Sequence, residues 1–106
     1  MQKTTLILTV RTKPGKREEL RALWDRHLRP RAEENAAQEL YLYCHDAEDP
    51  DTTHIIEVYG DGDAMRRNAA APWFAEYMRA SAPLLAGGPA MARAEPVWAK
   101  GYALEP

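Results

Sequence analysis

The chain has a single cysteine, a single phenylalanine and almost no net charge: 14 Lys and Arg against 16 Asp and Glu in 106 residues. Cys44, alone, excludes an internal disulfide and gives no cysteine metal cluster. A net charge of -2 supplies no basic field for nucleic acid or an anionic membrane surface. No apolar run approaches the roughly 18 residues that span a bilayer. Met1 to Leu6 leads straight into a strand pattern rather than a charged and then apolar leader. The expectation is one cytoplasmic domain over residues 1–106, long enough for one core and too short for two.

What is present is periodic. In Leu6–Val10, residues Leu6, Leu8 and Val10 share one face of a strand, and Thr5, Ile7, Thr9 and Arg11 the other. Lys13-Pro14-Gly15-Lys16 breaks it. Leu20, Leu23, Trp24, His27 and Leu28 then fall on one stripe of a helix that Pro30 ends or kinks. The charges from Lys16 to Arg21 form its solvated side. Leu40–His45 and His54–Tyr59 read as strands joined by the acidic loop Asp46–Asp51. A helical region from Asp63 to about Ala82 is interrupted at Pro72, and Met91–Ala99 reads as a last strand. The order strand, helix, strand, strand, helix, strand is the ferredoxin-like split βαβ arrangement of α+β class, an antiparallel four-stranded sheet with helices on one face.

In the hairpin, Tyr41, Tyr43, Ile56 and Val58 are expected on one side, and Leu42, Cys44, Ile55 and Tyr59 on the other. Both faces are apolar, and the chain's own helices cover only one. A homodimer stacking the two open faces solves this, with the tail at about 97–106 extending across the partner.

The longest informative stretch is IIEVYGDGDAMRRNAAAPWFAEYMRASAPLLAG, Ile55 to Gly87. Together with KPGKREEL after the first strand, RAE before a Tyr-containing strand and the DAEDP hairpin, its EVYGDGDAMRRN, APWF and PLLAG fragments resemble the antibiotic biosynthesis monooxygenase family, over about residues 4 to 96. RAEENAAQELY departs from the family's usual RAEPG pattern. The resemblance implies a dimeric α+β barrel. Among its activities are oxygenation of phenolic or anthrone rings to quinones without flavin, metal or haem, quinol oxidation and haem degradation. Many members carry histidines where this chain has Asn68 and Trp73. The haem-degrading branch has a tryptophan matching Asn68 and a histidine near Met78, so that activity is disfavoured here. An Asn/Trp/Tyr set is closer in type to the polyketide oxygenases.

Asn68, Trp73 and Tyr77 sit in an alanine-rich helical region, where a core-filling helix would carry Leu or Ile. Asn68 can donate its amide N–H to a substrate oxygen or a peroxide; its bland alternative is a solvated or capping residue. Trp73 can stack on a flat ring and offer its indole N–H, and Tyr77 can bind a second phenol oxygen. Trp73, Phe74, Tyr77 and Met78 equally form a core stripe. His27 is either an interior histidine or the pocket's base. Arg11 pairs either with an anionic substrate or with Glu57. Tyr41, Tyr43 and Tyr59 are candidate pocket or dimer-face residues. Cys44 reads as a small buried apolar group. His45 and His54, taken to face each other across the hairpin, are more often solvated than ligands, and no metal is expected.

The function expected is a cofactor-independent monooxygenase acting with O2 on a phenolic, quinol or polycyclic aromatic substrate. Asn68 and Trp73 would be its catalytic residues, and Tyr77, Tyr59, His27 and Arg11 its substrate contacts. Two alternatives are a non-catalytic small-molecule-binding accessory dimer and an isomerase or cyclase on the same barrel.

Overall fold

In the computed structural model, which describes residues 2–104, the first alternating run forms strand β1, Thr4–Arg11. Gly15, at φ 77°, turns the chain just past Pro14, where a side chain would be strained. Helix α1, Arg17–His27, buries Leu20 and Trp24 and carries Glu18 and Glu19 in its first turn and Arg26 and His27 in its last, matching the helix dipole at both ends. As expected, α1 ends ahead of Pro30. The proline sits in the first turn of a new short helix α2, Arg29–Glu34, where a missing N–H costs nothing.

Strands β2, Gln38–His45, and β3, Thr52–Tyr59, form the hairpin. Its acidic loop is held by its own carboxylates. Asp46 accepts from the N–H groups of Glu48 and Asp49, and Asp49 accepts from the Asp51 N–H and the Thr52 hydroxyl. Backbone donors and then His54 hold the Asp46 carboxyl down at about 2. Arg17, expected only on a solvated face, also spans this loop and donates to the carbonyls of Asp46, Asp49 and Thr52.

Helix α3, Gly62–Ala69, is capped by Asp61, whose carboxylate accepts from Ala64 N–H at 2.8 Å. Helix α4, Pro72–Ser81, begins on its proline after a break at Ala70 and Ala71. A 3-10 turn at Ala82–Leu84 leads to β4, Ala90–Ala94. This strand is shorter than the sequence suggests. It stops at Ala94, before Pro96, which has no N–H to give a ladder.

The sheet order is β2-β3-β1-β4, antiparallel throughout, which is the ferredoxin-like α+β fold. On the helix-covered face, Val10 and Ile55 join Leu20, Trp24, Leu28 and Tyr77 in the core, with Leu8, Tyr41 and Tyr43 packed against them. The expected pairing of the hairpin faces is corrected here. Tyr43 stands opposite Ile55 and Tyr41 opposite Glu57, so both tyrosines share the inner face with Tyr59, while Leu42 and Cys44 share the outer face with Ile56 and Val58. Alternation fixes the faces of each strand alone; the loop fixes their relative phase. The same phase separates two histidines. His45 is level with Thr53 and His54 with Cys44, so they lie on opposite faces.

Across the open face, Ile7, Ile56 and Leu42 lie side by side on three strands, with Ile7 41% and Leu42 50% exposed. Beyond β4 the tail leaves Trp98 78% exposed, and Tyr102 donates its hydroxyl hydrogen to Glu39 of the same chain. The last two residues of the expected 97–106 tail lie outside the described residues. No helix of the described residues is long and apolar enough to cross a membrane.

Candidate functional site

Between the inner face of the sheet and helices α1, α3 and α4 lies a cavity of about 400 Å³. That volume falls within the roughly 300–1,000 Å³ typical of small-molecule sites. Its walls are apolar: Leu6, Leu8 and Val10 from β1, Trp24 and Leu28 from α1, and Phe74 and Met78 from α4 are examples. Met78 and Met91, both exposed, lie where it meets the β4 edge. Polar groups converge at one place in this wall, where Glu57, Tyr59 and Asn68 meet.

Tyr59 is 1% exposed, and its hydroxyl is fully engaged. It accepts from Gln38 Nε2 at 2.9 Å and from Asn68 Nδ2 at 3.1 Å, and donates to Glu57 Oε1. Gln38 Nε2 also donates to Glu57 Oε1, at 2.9 Å. Burial lifts the Glu57 carboxyl above its ordinary value, partly offset by the hydrogen bonds from Tyr59 and Gln38. Burial, and next the Glu57 carboxylate, push the Tyr59 phenol up. Asn68 is thus neither a cap nor a solvated residue: its side chain reaches inward to Tyr59.

Asn68 also lines a second, shallower depression of about 280 Å³, with Arg31, Glu34, Arg67 and Trp73. The Arg31 guanidinium lies 4.6 Å from the Trp73 ring centroid, a cation–π contact, and Trp73 Nε1 is enclosed without a partner. The residues singled out on the helical region therefore divide around Asn68. Trp73 meets it at the shallow depression, and Tyr77 and Tyr59 meet it in the deep cavity. Tyr77 is also a core residue, so packing and lining are one role here. Its phenol is raised by burial.

The other sequence candidates stand elsewhere. The His27 ring lies 6.4 Å from that of Tyr77, tilted against it, and lines neither space. Arg11 does not pair with Glu57. It is exposed on the outer face opposite Thr52, whereas Glu57 is inward and opposite Leu6. His54 binds Asp46 and Thr9, and no group of three or more His, Cys, Asp or Glu among the described residues is placed to hold a metal ion.

Sequence reasoning passed over Glu57 and Gln38 as site residues. A signal existed for Glu57: it is in phase with Ile55 and Tyr59, which puts a carboxyl on an apolar face. Gln38 carried no comparable mark.

The profile of the antibiotic biosynthesis monooxygenase family matches residues 4–80, well over half of the chain. Among solved structures, a protein from Chloroflexus aurantiacus bearing that family's name is 22% identical, with a TM-score of 0.78 over 97% of this chain and 99% of its own. One of the same name from Caulobacter crescentus is 16% identical, with a TM-score of 0.85 over 92% of each chain. A protein of unknown function from Nitrosomonas europaea is 22% identical, with a TM-score of 0.80 over 97% of each chain. At these identities the likeness shows the fold alone. No curated protein matches.

Proposed function

Because this chain belongs to the antibiotic biosynthesis monooxygenase family, we propose that it is a cofactor-independent monooxygenase that oxidises a phenolic, quinol or polycyclic aromatic substrate with O2. The observation that carries this reading is the apolar cavity with its polar groups gathered at Glu57, Tyr59 and Asn68. Such a cavity takes a flat apolar body and addresses its oxygen at one point.

The chemistry follows from the substrate class. Loss of a proton makes the ring an electron-rich anion, which passes one electron to O2 and so avoids the spin barrier. The radical pair joins in a C–O bond, giving a hydroperoxide. Loss of water leaves a carbonyl, so substrate and O2 become quinone and water. The protein's part is to exclude bulk water, hold the ring and stabilise the oxyanion. Asn68 has an N–H beyond the one given to Tyr59 and offers it to that oxygen; Tyr77 addresses a second oxygen. Trp73 flanks Asn68 from the shallow depression, and its ring and indole N–H reach a substrate edge only when Arg31, which lies over the ring, swings aside.

The test is oxygen uptake by metal-stripped protein with an anthrone and a naphthohydroquinone. Asn68→Ala is expected to lower kcat about 100-fold, the scale of losing one oxyanion donor. Trp73→Phe, which keeps the ring and removes the N–H, is expected to cost less, about 10-fold. Uptake equal to that of a protein-free blank overturns the reading. Turnover without O2 points instead to an isomerase or cyclase, and binding without turnover to an accessory protein.

The same reading includes a homodimer formed through the open face, supported by the exposed row of Ile7 and Leu42 beside Ile56. Light scattering should give the mass of two chains for the wild type. Leu42→Asp should shift it to one chain, because a carboxylate would be buried unpaired in the contact. A wild-type mass of one chain at micromolar concentration would sink this part.

A further inference from the structure

We infer that Glu57 is the proton acceptor of the cavity, its Oε2 receiving the proton of a weakly acidic C–H or O–H of the bound aromatic. This rests on the oxygenase reading for the class of substrate, and on this chain's own geometry for the residue.

Glu57 lies on the inner face of β3 and is 5% exposed. Among the described residues it is the one carboxyl lining the cavity, and no Lys, Arg or His of these lines it with Glu57. A buried carboxyl without a cation is costly, and an apolar residue in phase with Ile55 would serve packing better. Such a group in a cleft is a functional-site candidate.

The hydrogen bonds divide its two oxygens. Oε1 takes both donors, from Gln38 and Tyr59. Oε2 accepts nothing from the described residues and, unlike the Tyr43 hydroxyl, is not fully enclosed, and Glu57 lines the cavity. The clamp is itself fixed. Because the Tyr59 oxygen accepts from Gln38 and Asn68, its hydrogen is directed at Glu57. Tyr59 and Gln38 are therefore positioning residues: they hold Oε1 and leave Oε2 for the substrate. The titratable groups facing it are Tyr41 from β2, Tyr59 from its own strand and Tyr77 from α4, all phenols raised by burial. The lift that burial gives Glu57 narrows the gap to a phenolic proton near pKa ~10.

In the step itself the substrate C–H or O–H bond breaks, its electron pair stays on the ring, and the proton passes to Oε2. Asn68 meets the resulting oxyanion. After O2 has taken an electron and the C–O bond has formed, Glu57 returns the proton to the terminal peroxide oxygen and is again a carboxylate.

Anaerobic hydrogen–deuterium exchange at the benzylic carbon of an anthrone, followed by mass spectrometry, reads this step without oxygenation. Wild type is expected to exchange faster than buffer, with a rate that rises as Glu57 ionises. Glu57→Gln keeps an acceptor for Gln38 and Tyr59, so it should bind anthrone within about threefold of wild type. Its exchange should fall about 100-fold or more, the usual worth of a general base, and lose the pH dependence. Glu57→Asp should retain that dependence at a lower rate. Exchange in Glu57→Gln equal to wild type, or no exchange by wild type, overturns the inference. Oxygen uptake that survives in Glu57→Gln with an unchanged pH profile also overturns it while leaving the oxygenase reading intact. Exchange through Glu57 with no oxygen uptake does the reverse.

Discussion

Trp24→Ala is expected to lose about 3–5 kcal/mol of stability, the range for emptying a large aromatic from a core. Trp24 lies at the meeting of α1 with the hairpin: its ring centroid is 4.4 Å from that of Tyr43 and 5.5 Å from that of Tyr41. Its Nε1 donates to the Tyr41 hydroxyl at 2.9 Å. Alanine removes the packing and the donor together. For a domain with a total stability of about 5–15 kcal/mol, that leaves little margin. At roughly 4 °C or more per kcal/mol, the melting temperature should drop by 12 °C or more. Trp24→Phe separates the two contributions, because it keeps most of the packing and forfeits the hydrogen bond. A drop of only a few degrees for Trp24→Ala would mean that the cavity beside it collapses to refill the space.

Tyr59→Phe should reveal the buried network through a dependence on pH. The substitution leaves Asn68 Nδ2 without its partner and takes one of two donors from Glu57, a cost of about 1–3 kcal/mol. The Glu57 carboxyl is raised in the folded state from 4.5, chiefly by burial. Folding therefore favours the protonated form. The stability due to this group is full below its ordinary range and is lost as pH rises through the raised value. Without the Tyr59 donor the folded value moves higher still, so the loss is larger and extends further up. The gap between wild type and Tyr59→Phe should be wider at pH 8 than at pH 4 in denaturant titrations. Comparing the two proteins cancels Asp46 and Asp49, whose lowered values give the opposite trend as pH falls. An equal gap at both pH values would mean that Glu57 does not sense the hydroxyl.

Local periodicity made much of this fold legible. The stripe from Leu20 to Leu28 and the alternation of Leu6, Leu8 and Val10 each need only the geometry of one element, and each is found where the pattern puts it. What concerns two elements at once was harder. The hairpin phase depends on how Asp46 and Asp49 fold the loop, and a register shift between Gln38 and Leu40 then brings Gln38 level with Tyr59. No single strand records either. The same limit governs the site. Asn68 stands out as a polar residue among alanines, but its partner Tyr59 comes from another element nine residues earlier. Glu57 enters the sequence reading only as one of two alternative partners for Arg11, the other being an anionic substrate, and the two residues stand on opposite faces. Burial phase was the better guide than charge.

The interruption between α3 and α4 carries a consequence for how such a site can diverge. On one unbroken helix, residues five apart, such as Asn68 and Trp73, would point roughly 140° away from each other. The break at Ala70 and Ala71 resets that angle, so the two side chains line one depression. A residue gained or lost at this join would swing the tryptophan relative to the asparagine while leaving the sheet and its pairings untouched. The short alanine link is thus an adjustable joint, through which a lineage can retune what the shallow depression admits without rebuilding the core behind it.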